Sequence, residues 1–508
     1  MRALISLSDK TNLDFLAKEL HSLGCEITST GGTCAHIKDL GIPVREISEV
    51  TGSKEILGGR VKTLHPNIYG GILYKRDDQE HRKTIQENSI LDIDLVIVNL
   101  YPFEATIAAS DDFDEAIENI DIGGVTLIRA AAKNFQDCLI VVEPSDYGEV
   151  IEKLRTNQNT LEFRKTLMQK AFGVVARYDS VINQYMSGGE FGEYFSFTGK
   201  KVLETRYGEN PHQKASLYAS GDFFEDSKVL KGEISFNNLL DINACIKVSS
   251  LFREQKNICI VKHNNPCGFA IDDDLVACFD KALICDKISA YGGVASVNAK
   301  VELDLAKKLN EIFLEVVIAP SFSDEALQEL GRKKRIKLVQ VGKEASVLPL
   351  RVNSLDVKFL EGGFLVQEAD AVQSDEITNA SQKSKASAST SQMQDLSIAY
   401  KIASVTKSNC IVYVKQAVLV AIGMGMTSRV DATKSATRKA QDLQIDLSGS
   451  AMASEAFFPF RDSIDEASQV GVSAIIQPGG SIRDDEVVQS ADEHNIALYF
   501  TGVRHFLH

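Results

Sequence analysis

Short apolar runs alternate with helix-period segments along most of this chain, and that alternation constrains its fold more than any other feature. Ala3–Leu7 reads as a buried strand, and the segment after it sets Leu13, Leu16, Leu20 and Leu23 at helical spacing. Cys25–Thr30, Leu95–Val98 and Cys138–Val142 read as further strands. Strands alternating with helices imply parallel βαβ units, which bind ligands at the carboxyl ends of their strands. A helical run from Leu161 to Met186 precedes the loop SGGEFGEY, which reads as a domain boundary. From Thr198 the alternation resumes, clearest at Ile258–Val261, Val316–Ile318, Cys410–Val414, Val418–Ile422 and Ala474–Ile476. Between Ser374 and Gln394 the chain is rich in Ser, Ala, Lys and Gln without an aromatic residue, which predicts a solvated loop or linker. The expected organisation is an α/β domain over 1–197, a second piece over 198–373, a polar linker over 374–395 and a third piece over 396–508. No internal repeat emerges from sequence identity.

Length agrees: 508 residues make room for roughly three domains, and a core of that size needs no disulfide or metal staple. The 55 Lys+Arg against 70 Asp+Glu give a net charge of −15. That balance counts against a broad nucleic-acid binder, while local basic pockets can still take small anions. Nine cysteines, odd in number and nowhere spaced C-x2-C, indicate neither a disulfide framework nor a zinc ribbon. No stretch approaches about 18 uninterrupted apolar residues, so no transmembrane helix is expected. The opening MRALISLSDK turns polar too soon for a secretory signal, and a cytoplasmic location is expected.

Several glycine-rich turns follow strands. TGGT at Thr30–Thr33 lets backbone N–H groups approach an anion where a helix begins, although a tight strand-to-helix turn explains it equally well. SDK at Ser8–Lys10 also follows a strand, and GGRVKTLHP at Gly58–Pro66 gathers Arg60, Lys62 and Thr63 behind a glycine pair. Three donor-rich turns in one α/β domain point to a phosphate-bearing ligand; ordinary N-caps and surface cations are the alternative. DIGGVTLIRAAAKN at Asp121–Asn134 opens a helix on another glycine pair and sets Arg129 and Lys133 four residues apart on one face. NLYPF at Asn99–Phe103 puts an Asn and a Tyr at a strand's carboxyl end, placed to read a heterocycle by hydrogen bonds.

In the second half, VKHNNPCG at Val261–Gly268 ends a strand on adjacent Lys262 and His263. Histidine is the usual general base near neutrality, and a neighbouring ammonium lowers its pKa and keeps it ready to accept a proton. A structural histidine is the plainer alternative. RYGENPHQ adds Arg206 and His212, GMGMTSR ends on Arg429, and PGGSIRDDE makes another Gly-rich turn. Walker, nucleophile-elbow, H-E-x-x-H and zinc-deaminase signatures are missing, so any deaminase-like site here works without metal.

With AYGG, KSNCIVYVK, FFPFRD and TGVRHFLH, these motifs run in order from residue 8 to residue 508. Together they resemble the bifunctional purine-biosynthesis family that fuses phosphoribosylaminoimidazolecarboxamide (AICAR) formyltransferase to inosine monophosphate (IMP) cyclohydrolase. The resemblance implies an N-terminal methylglyoxal-synthase-like parallel α/β domain that closes formyl-AICAR to IMP. Two cytidine-deaminase-like α/β subdomains without zinc would follow, transferring a formyl group from the co-substrate 10-formyltetrahydrofolate to AICAR. It further implies a homodimer with shared formyltransferase sites, no transition metal, and neither nucleic acid nor membrane as a partner. Whether a monovalent cation binds stays open, and a monofunctional formyltransferase that keeps its first domain as a nucleotide-binding module is the alternative.

Carried onto this sequence, the resemblance makes Lys262, His263 and Asn409 catalytic in formyl transfer, with His263 as the base. Arg206, Tyr207, Asn238, Gly292, Glu315 and Arg504 match AICAR contacts, and Arg429 matches one supplied by a second subunit. Val430, Asp462, Ser481 and Ile482 match folate positions. In the cyclohydrolase, Ser8, Asp9, Lys10, Thr30, Gly31, Gly32, Thr33, Arg60, Lys62 and Thr63 match the nucleotide-cradling turns. Asn99, Asp121 and Gly123 match base-reading positions; Lys133 matches a catalytic lysine, joined in catalysis by Lys62, Tyr101 and Asp121. Bacterial relatives usually carry a basic, proline-containing stretch before the KSN motif, and SQKSKASASTSQ stands here instead.

Overall fold

The first unit, Met1–Gly199, is built on β1 (Arg2–Leu7), β2 (Glu26–Ser29), β3 (Val44–Glu46), β4 (Leu95–Asn99) and β5 (Leu139–Val141). They form one sheet in the order β3-β2-β1-β4-β5, every pair parallel. β1 and β4 lie inside it, covered on both faces, and so are continuous apolar runs rather than alternating ones. Leu13, Leu16, Leu20 and Tyr147 pack on one face; Ile68, Ile72, Leu127 and Ile128 pack on the other. From β1 the chain lays β2 and β3 on one side, then returns to place β4 on the other. That reversal opens a crevice beyond the carboxyl ends of β1 and β4. Ser8–Lys10 follows β1 and NLYPF follows β4, so both motifs stand at its mouth.

The computed structural model describes residues 1–188, 191–219, 227–341 and 355–508. Of the boundary loop SGGEFGEY, Gly189 and Glu190 therefore lie outside the described residues. Among those described, no helix is long and apolar enough to cross a membrane.

Among the described residues, the second unit, Lys200–His508, holds a twelve-stranded sheet. Its first half starts from the hairpin Asn257–Lys262/Asn265–Ile271, followed outward by Gly293–Val297, Leu314–Ala319, Lys337–Gln340 and an edge strand Lys228–Lys231. Its second half repeats that plan from the hairpin Ile411–Lys415/Val418–Gly423 through Ala451–Ser454, Ala474–Gln477, Ala497–Phe500 and an edge strand Ser381–Gln382. In each half the strand next to the hairpin pairs antiparallel and the next two pair parallel. The halves meet at an antiparallel seam, Ala270 opposite Val418. The repeat that sequence identity does not reveal is thus present in the topology. Both hairpins close on two residues with positive φ, His263–Asn264 at 54° and 63° and Gln416–Ala417 at 54° and 59°, the geometry that matches strand twist.

The 374–395 stretch differs from the solvated linker expected of it. Ser374–Thr378 is a short helix, Ser381–Gln382 pairs with Tyr499 and Phe500, and Thr390–Ser404 is a helix. Its Ser and Gln residues serve as caps: Ser389 and Gln392 form a capping box, as do Gln373 and Glu376. Ile377 is buried in the core, and Ala380, Ala386, Ala388 and Met393 pack against it, so the segment is held by an apolar face as well as by its caps.

Candidate active sites

In the first unit, Asn99 pins the crevice open. Its Oδ1 accepts from the N–H groups of Ser8 (2.7 Å) and Asp9 (3.0 Å), and its Nδ2 donates to the Asp9 carbonyl (2.7 Å). Both lone pairs of Oδ1 are taken, so Asn99 fixes the turn after β1; base reading from Oδ1, as the resemblance implies, would compete with those bonds. Asp9 folds back on Thr11, whose hydroxyl and amide hold its carboxyl below the usual range. On the other side, buried Thr33 accepts from Leu7 N–H (3.1 Å) and donates to Leu7 O (3.0 Å), while Thr30 and Ser6 hydroxyls meet at 2.9 Å. Ser8, Asp9, Thr30, Thr33 and Asn99 are therefore the frame of the turn.

That frame presents the start of the helix Gly31–Asp39, whose first N–H groups have no partner inside the helix. A Cβ on Gly31 would lie 3.8 Å from Lys62 Nζ, and one on Gly32 would lie 3.9 Å from Lys10 Nζ. Two ammonium groups beside a helix N-terminus make a site for a phosphate. Gly59, at φ 96°, lets the loop close on Lys62: a Cβ there would sit 2.7 Å from Lys62 Cε. Both loop cations are paired within the chain, Lys62 with Glu55 (3.3 Å) and Arg60 with Glu118.

Deeper in, buried Thr63 faces Gly123, where a Cβ would lie 3.0 Å from its Oγ1. Asp121 is 9 % exposed, and its Oδ1 accepts from Gly124 N–H at 2.6 Å. Burial pushes its carboxyl up, against the amides of Gly124 and Tyr101. The Tyr101 ring is half open to solvent. Lys62, Thr63, Tyr101, Asp121 and Gly123 thus share one mouth.

Lys133 does not join them. It ends the helix Gly123–Lys133, ten residues from Gly123 and so about 15 Å along the axis. That helix runs back toward the amino ends of the strands, where Asn134 donates to the carbonyls of Ile72 and Tyr74. A helix returning antiparallel to the strands thus sets Lys133 toward their amino ends, about 15 Å from Gly123 at the pocket mouth.

In the second unit, His263 sits exposed at the tip of the first hairpin, beside half-buried Lys262. Lys262 Nζ donates to the Tyr291 carbonyl, and at the next residue, Gly292 (φ 74°), a Cβ would come within 3.3 Å of that ammonium. A cleft beside the hairpin is lined by Lys262, His263, Asp286, Met424 and Lys439. Asn238 is 2 % exposed: Oδ1 takes Lys337 Nζ (2.7 Å) and Ser235 N–H (3.2 Å), and Nδ2 donates to Glu315 (2.8 Å). Within the chain it holds Glu315 and Lys337 together, so any contact it makes with AICAR would come through its remaining N–H. Arg206 and Tyr207 lie on a loop joined to this region by Asn237, which donates to Glu209 O at 3.3 Å.

Asn409, Arg429 and Arg504 form a second group. Asn409 Nδ2 donates to Met426 O at 2.9 Å, and Ser408 N–H donates to Leu507 O at 2.8 Å, which brings the C-terminal arm alongside. Arg429 is 7 % exposed and held by its own chain: Glu455 Oε2 (2.9 Å), Phe457 O (2.9 Å) and Ser454 Oγ (3.2 Å). The Phe506 ring lies 5.6 Å from the Arg429 guanidinium and 4.5 Å from that of Arg504. Among the folate positions, Arg483 stacked at 4.8 Å over half-exposed Phe460 joins the loop before Asp462 to the turn of Ser481 and fully exposed Ile482. An exposed aromatic, an exposed aliphatic and a carboxylate suit a flat polar heterocycle. The Gly480–Ser481 turn itself is no anion site, because Asp484 already accepts both of its N–H groups, at 2.7 and 3.1 Å.

Sequence reasoning missed Asp241. Its Oδ1 accepts from Asn264 N–H at 2.7 Å and so braces the His263 turn, while burial pushes its carboxyl up. Its signal was available: Asp241 lies one turn beyond Asn238 on the same helix face. Lys337 and Glu455 had no motif to betray them.

Comparison with known proteins bears on both units. Residues 131–439 match the family model described as AICARFT/IMPCHase bienzyme, and residues 12–126 match an MGS-like domain. The bifunctional purine biosynthesis protein PurH of Persephonella marina is 46% identical over 520 residues, covering 100% of this chain and 99% of that one. Its counterparts in Aquifex aeolicus, 45% identical, and Bradyrhizobium diazoefficiens, 43% identical, cover 100% of this chain and 100% and 98% of their own.

Proposed function

The chain belongs to the AICARFT/IMPCHase bienzyme family of purine biosynthesis, and from that premise we propose which residues carry each of its two reactions. The enzyme moves a formyl group from 10-formyltetrahydrofolate to the 5-amino group of AICAR, then closes formyl-AICAR to IMP with loss of water.

In formyl transfer, the 5-amino nitrogen is a weak nucleophile because its lone pair is delocalised into the imidazole. His263 takes its proton as nitrogen attacks the formyl carbon. The bond from that carbon to the folate nitrogen breaks, and the leaving nitrogen receives a proton. Lys262, fixed by Tyr291 O, steadies the oxyanion that forms between those events. Glu315, held by Asn238 and near Lys337 (3.9 Å), binds AICAR with Arg206 and Tyr207.

In ring closure, Lys10, Lys62 and the Gly31–Gly32 backbone hold the nucleotide phosphate, which brings the carboxamide nitrogen to the formyl carbon of the same molecule. Asp121, its carboxyl raised by burial, accepts the amide proton, and Tyr101 donates toward the departing oxygen. The double ammonium cradle at the Gly31 helix start is the observation that carries this reading.

We further propose a homodimer located in the cytoplasm. One finding supports a shared arrangement: Lys133 ends its helix about 15 Å from Gly123 at the pocket mouth of its own chain. Incubating pure protein with AICAR and 10-formyltetrahydrofolate tests the whole scheme by the appearance of IMP. Formyl-AICAR that accumulates without IMP would show that the first unit only binds nucleotide.

A further inference from the structure

His505 lies in the C-terminal arm and is 1 % exposed. Its Nδ1 is 2.9 and 3.0 Å from the two carboxylate oxygens of Asp370, and its Nε2 is 2.8 Å from Glu376 Oε2. Ionised carboxylates only accept, so both ring nitrogens carry hydrogens and the ring is a cation. Glu376 cannot swing away, because its other oxygen accepts from Gln373 N–H at 2.6 Å. The Asp370–Glu376 segment lies 129 to 135 residues before the arm, so this clamp ties two distant stretches of chain together.

The remaining groups around the ring belong to the arm or to its seat. Tyr400 meets the imidazole edge-on at 5.5 Å and donates its hydroxyl to Val503 O at 2.6 Å. His505 N–H donates to Glu455 O at 3.0 Å, and the Glu455 carboxylate pairs with Arg429. On either side of His505, Arg504 and Phe506 stack at 4.5 Å. Asp370, Glu376, Tyr400, Glu455, Arg429 and Arg504 are thus the titratable and charged groups around it. A hydrophobic side chain would fill the same space but would leave Asp370 and Glu376 converging on nothing.

We propose that His505 is a positioning residue for formyl transfer: clamped between Asp370 and Glu376, it anchors the C-terminal arm and thereby aims Arg504 at AICAR. This rests on the reading of Arg504 as an AICAR contact. Burial disfavours the charged ring, and the two carboxylates outweigh that and raise its pKa above the ordinary histidine value. The sign follows: the clamp is complete below about pH 6.5 and is lost as pH rises through the raised value.

Three full-length variants test it: His505→Gln, Asp370→Asn and Arg504→Ala. Each is assayed for formyl transfer from about pH 6 to about pH 10, with closure of supplied formyl-AICAR as the control for fold. His505→Gln should raise the KM for AICAR about tenfold or more with a smaller change in kcat, as expected for losing a charged hydrogen bond. It should also abolish the upward drift of KM with pH that the clamp predicts for the unmodified enzyme. Asp370, 46 % exposed, can lose its charge without harm to the core, and Asp370→Asn should move that drift to lower pH. Arg504→Ala should raise KM at every pH. A raised KM in Arg504→Ala, with KM and its pH profile unchanged in both His505→Gln and Asp370→Asn, overturns the positioning role. An unchanged KM in Arg504→Ala overturns the Arg504 reading instead. In that case a pH-linked KM effect in His505→Gln still puts the arm at the substrate, and its absence overturns the proposal too.

Discussion

Asp241 and Asp395 hold the same post in the two halves of the second unit's sheet. Each lies six residues after the serine that caps its helix, Ser235 in one half and Ser389 in the other. Each carboxylate braces a two-residue hairpin turn: Asp241 accepts from Asn264 N–H at 2.7 Å, and Asp395 from Gln416 and Ala417 N–H at 2.9 and 2.7 Å. One turn carries His263 and the other carries no titratable group.

The pair separates positioning from stability. Asp241→Ala frees the His263 turn, and a shift of about 1 Å at a reacting group costs about 10²-fold in rate. Asp241→Asn keeps an acceptor and should lose far less. Asp395→Ala should cost about 1–3 kcal/mol in denaturant unfolding yet leave turnover of the folded protein near normal. Equal kinetic losses in the two alanine variants, at matched folded fraction, would show that the brace has no special part in catalysis.

The two reactions should come apart by point mutation. His263→Ala removes the base for a weak amine and should lower formyl transfer by about 10²–10⁴-fold while formyl-AICAR supplied from outside still closes. Lys62→Ala, at the nucleotide cradle, should do the reverse. Chromatography of the products decides, with circular dichroism confirming fold. A folded variant that loses both reactions contradicts separate sites.

With Lys133 about 15 Å along its helix from the pocket mouth, a catalytic part for it calls for a second copy of the chain. Mixed dimers of Lys62→Ala and Lys133→Ala subunits should then regain ring closure, since one composite pocket carries both lysines. Full cyclisation by the Lys133→Ala homodimer would remove this lysine from the reaction altogether.

Mixing Arg429→Ala with His263→Ala subunits asks the same question of formyl transfer. Arg429 is buried against Glu455, so its loss strands a carboxylate at 0 % exposure and should cost about 3–5 kcal/mol. Recovery of activity must therefore be read beside an unfolding curve. No recovery in folded mixed dimers would confine Arg429 to its own chain.

Asp121 makes a prediction about pH. Burial raises its folded pKa above the unfolded value, so the folded state holds the proton more tightly and stability falls as pH rises through that interval. Asp121→Asn removes that burden: it should raise the melting temperature of the first unit at pH near 7, show no gain below about pH 3.8, and abolish ring closure. A lower melting temperature at neutral pH would mean that the carboxylate is stabilised by groups other than the Gly124 and Tyr101 amides.

Much of this was legible in the sequence, and the reasons differ by region. Continuous apolar runs such as Leu95–Val98 announce a strand covered on both faces, and Gly31–Gly32 and Gly123–Gly124 announce helix starts that something must approach closely. The direction in which a helix runs is harder to read: Lys133 looks like a neighbour of Asp121 in sequence and ends on the far side of the sheet. The 374–395 stretch misleads because composition reports average polarity, whereas Ser389 and Gln392 act through their places in a cap. Asn238, which is buried, and Asn99, which is not, both spend amide groups on the protein's own backbone and side chains, and residue type alone does not reveal that.

The seam where Asn265–Ile271 meets Val418–Gly423 has a consequence for how this enzyme can shrink. A strand edge left open there would be a template for sticking to other chains. The half whose turn, Gln416–Ala417, bears no base is the cover for the strand that leads out of the His263 turn. A truncated descendant would therefore have to invent a new cover before it could discard the old one, and solubility would preserve the duplicate even where chemistry no longer asked for it.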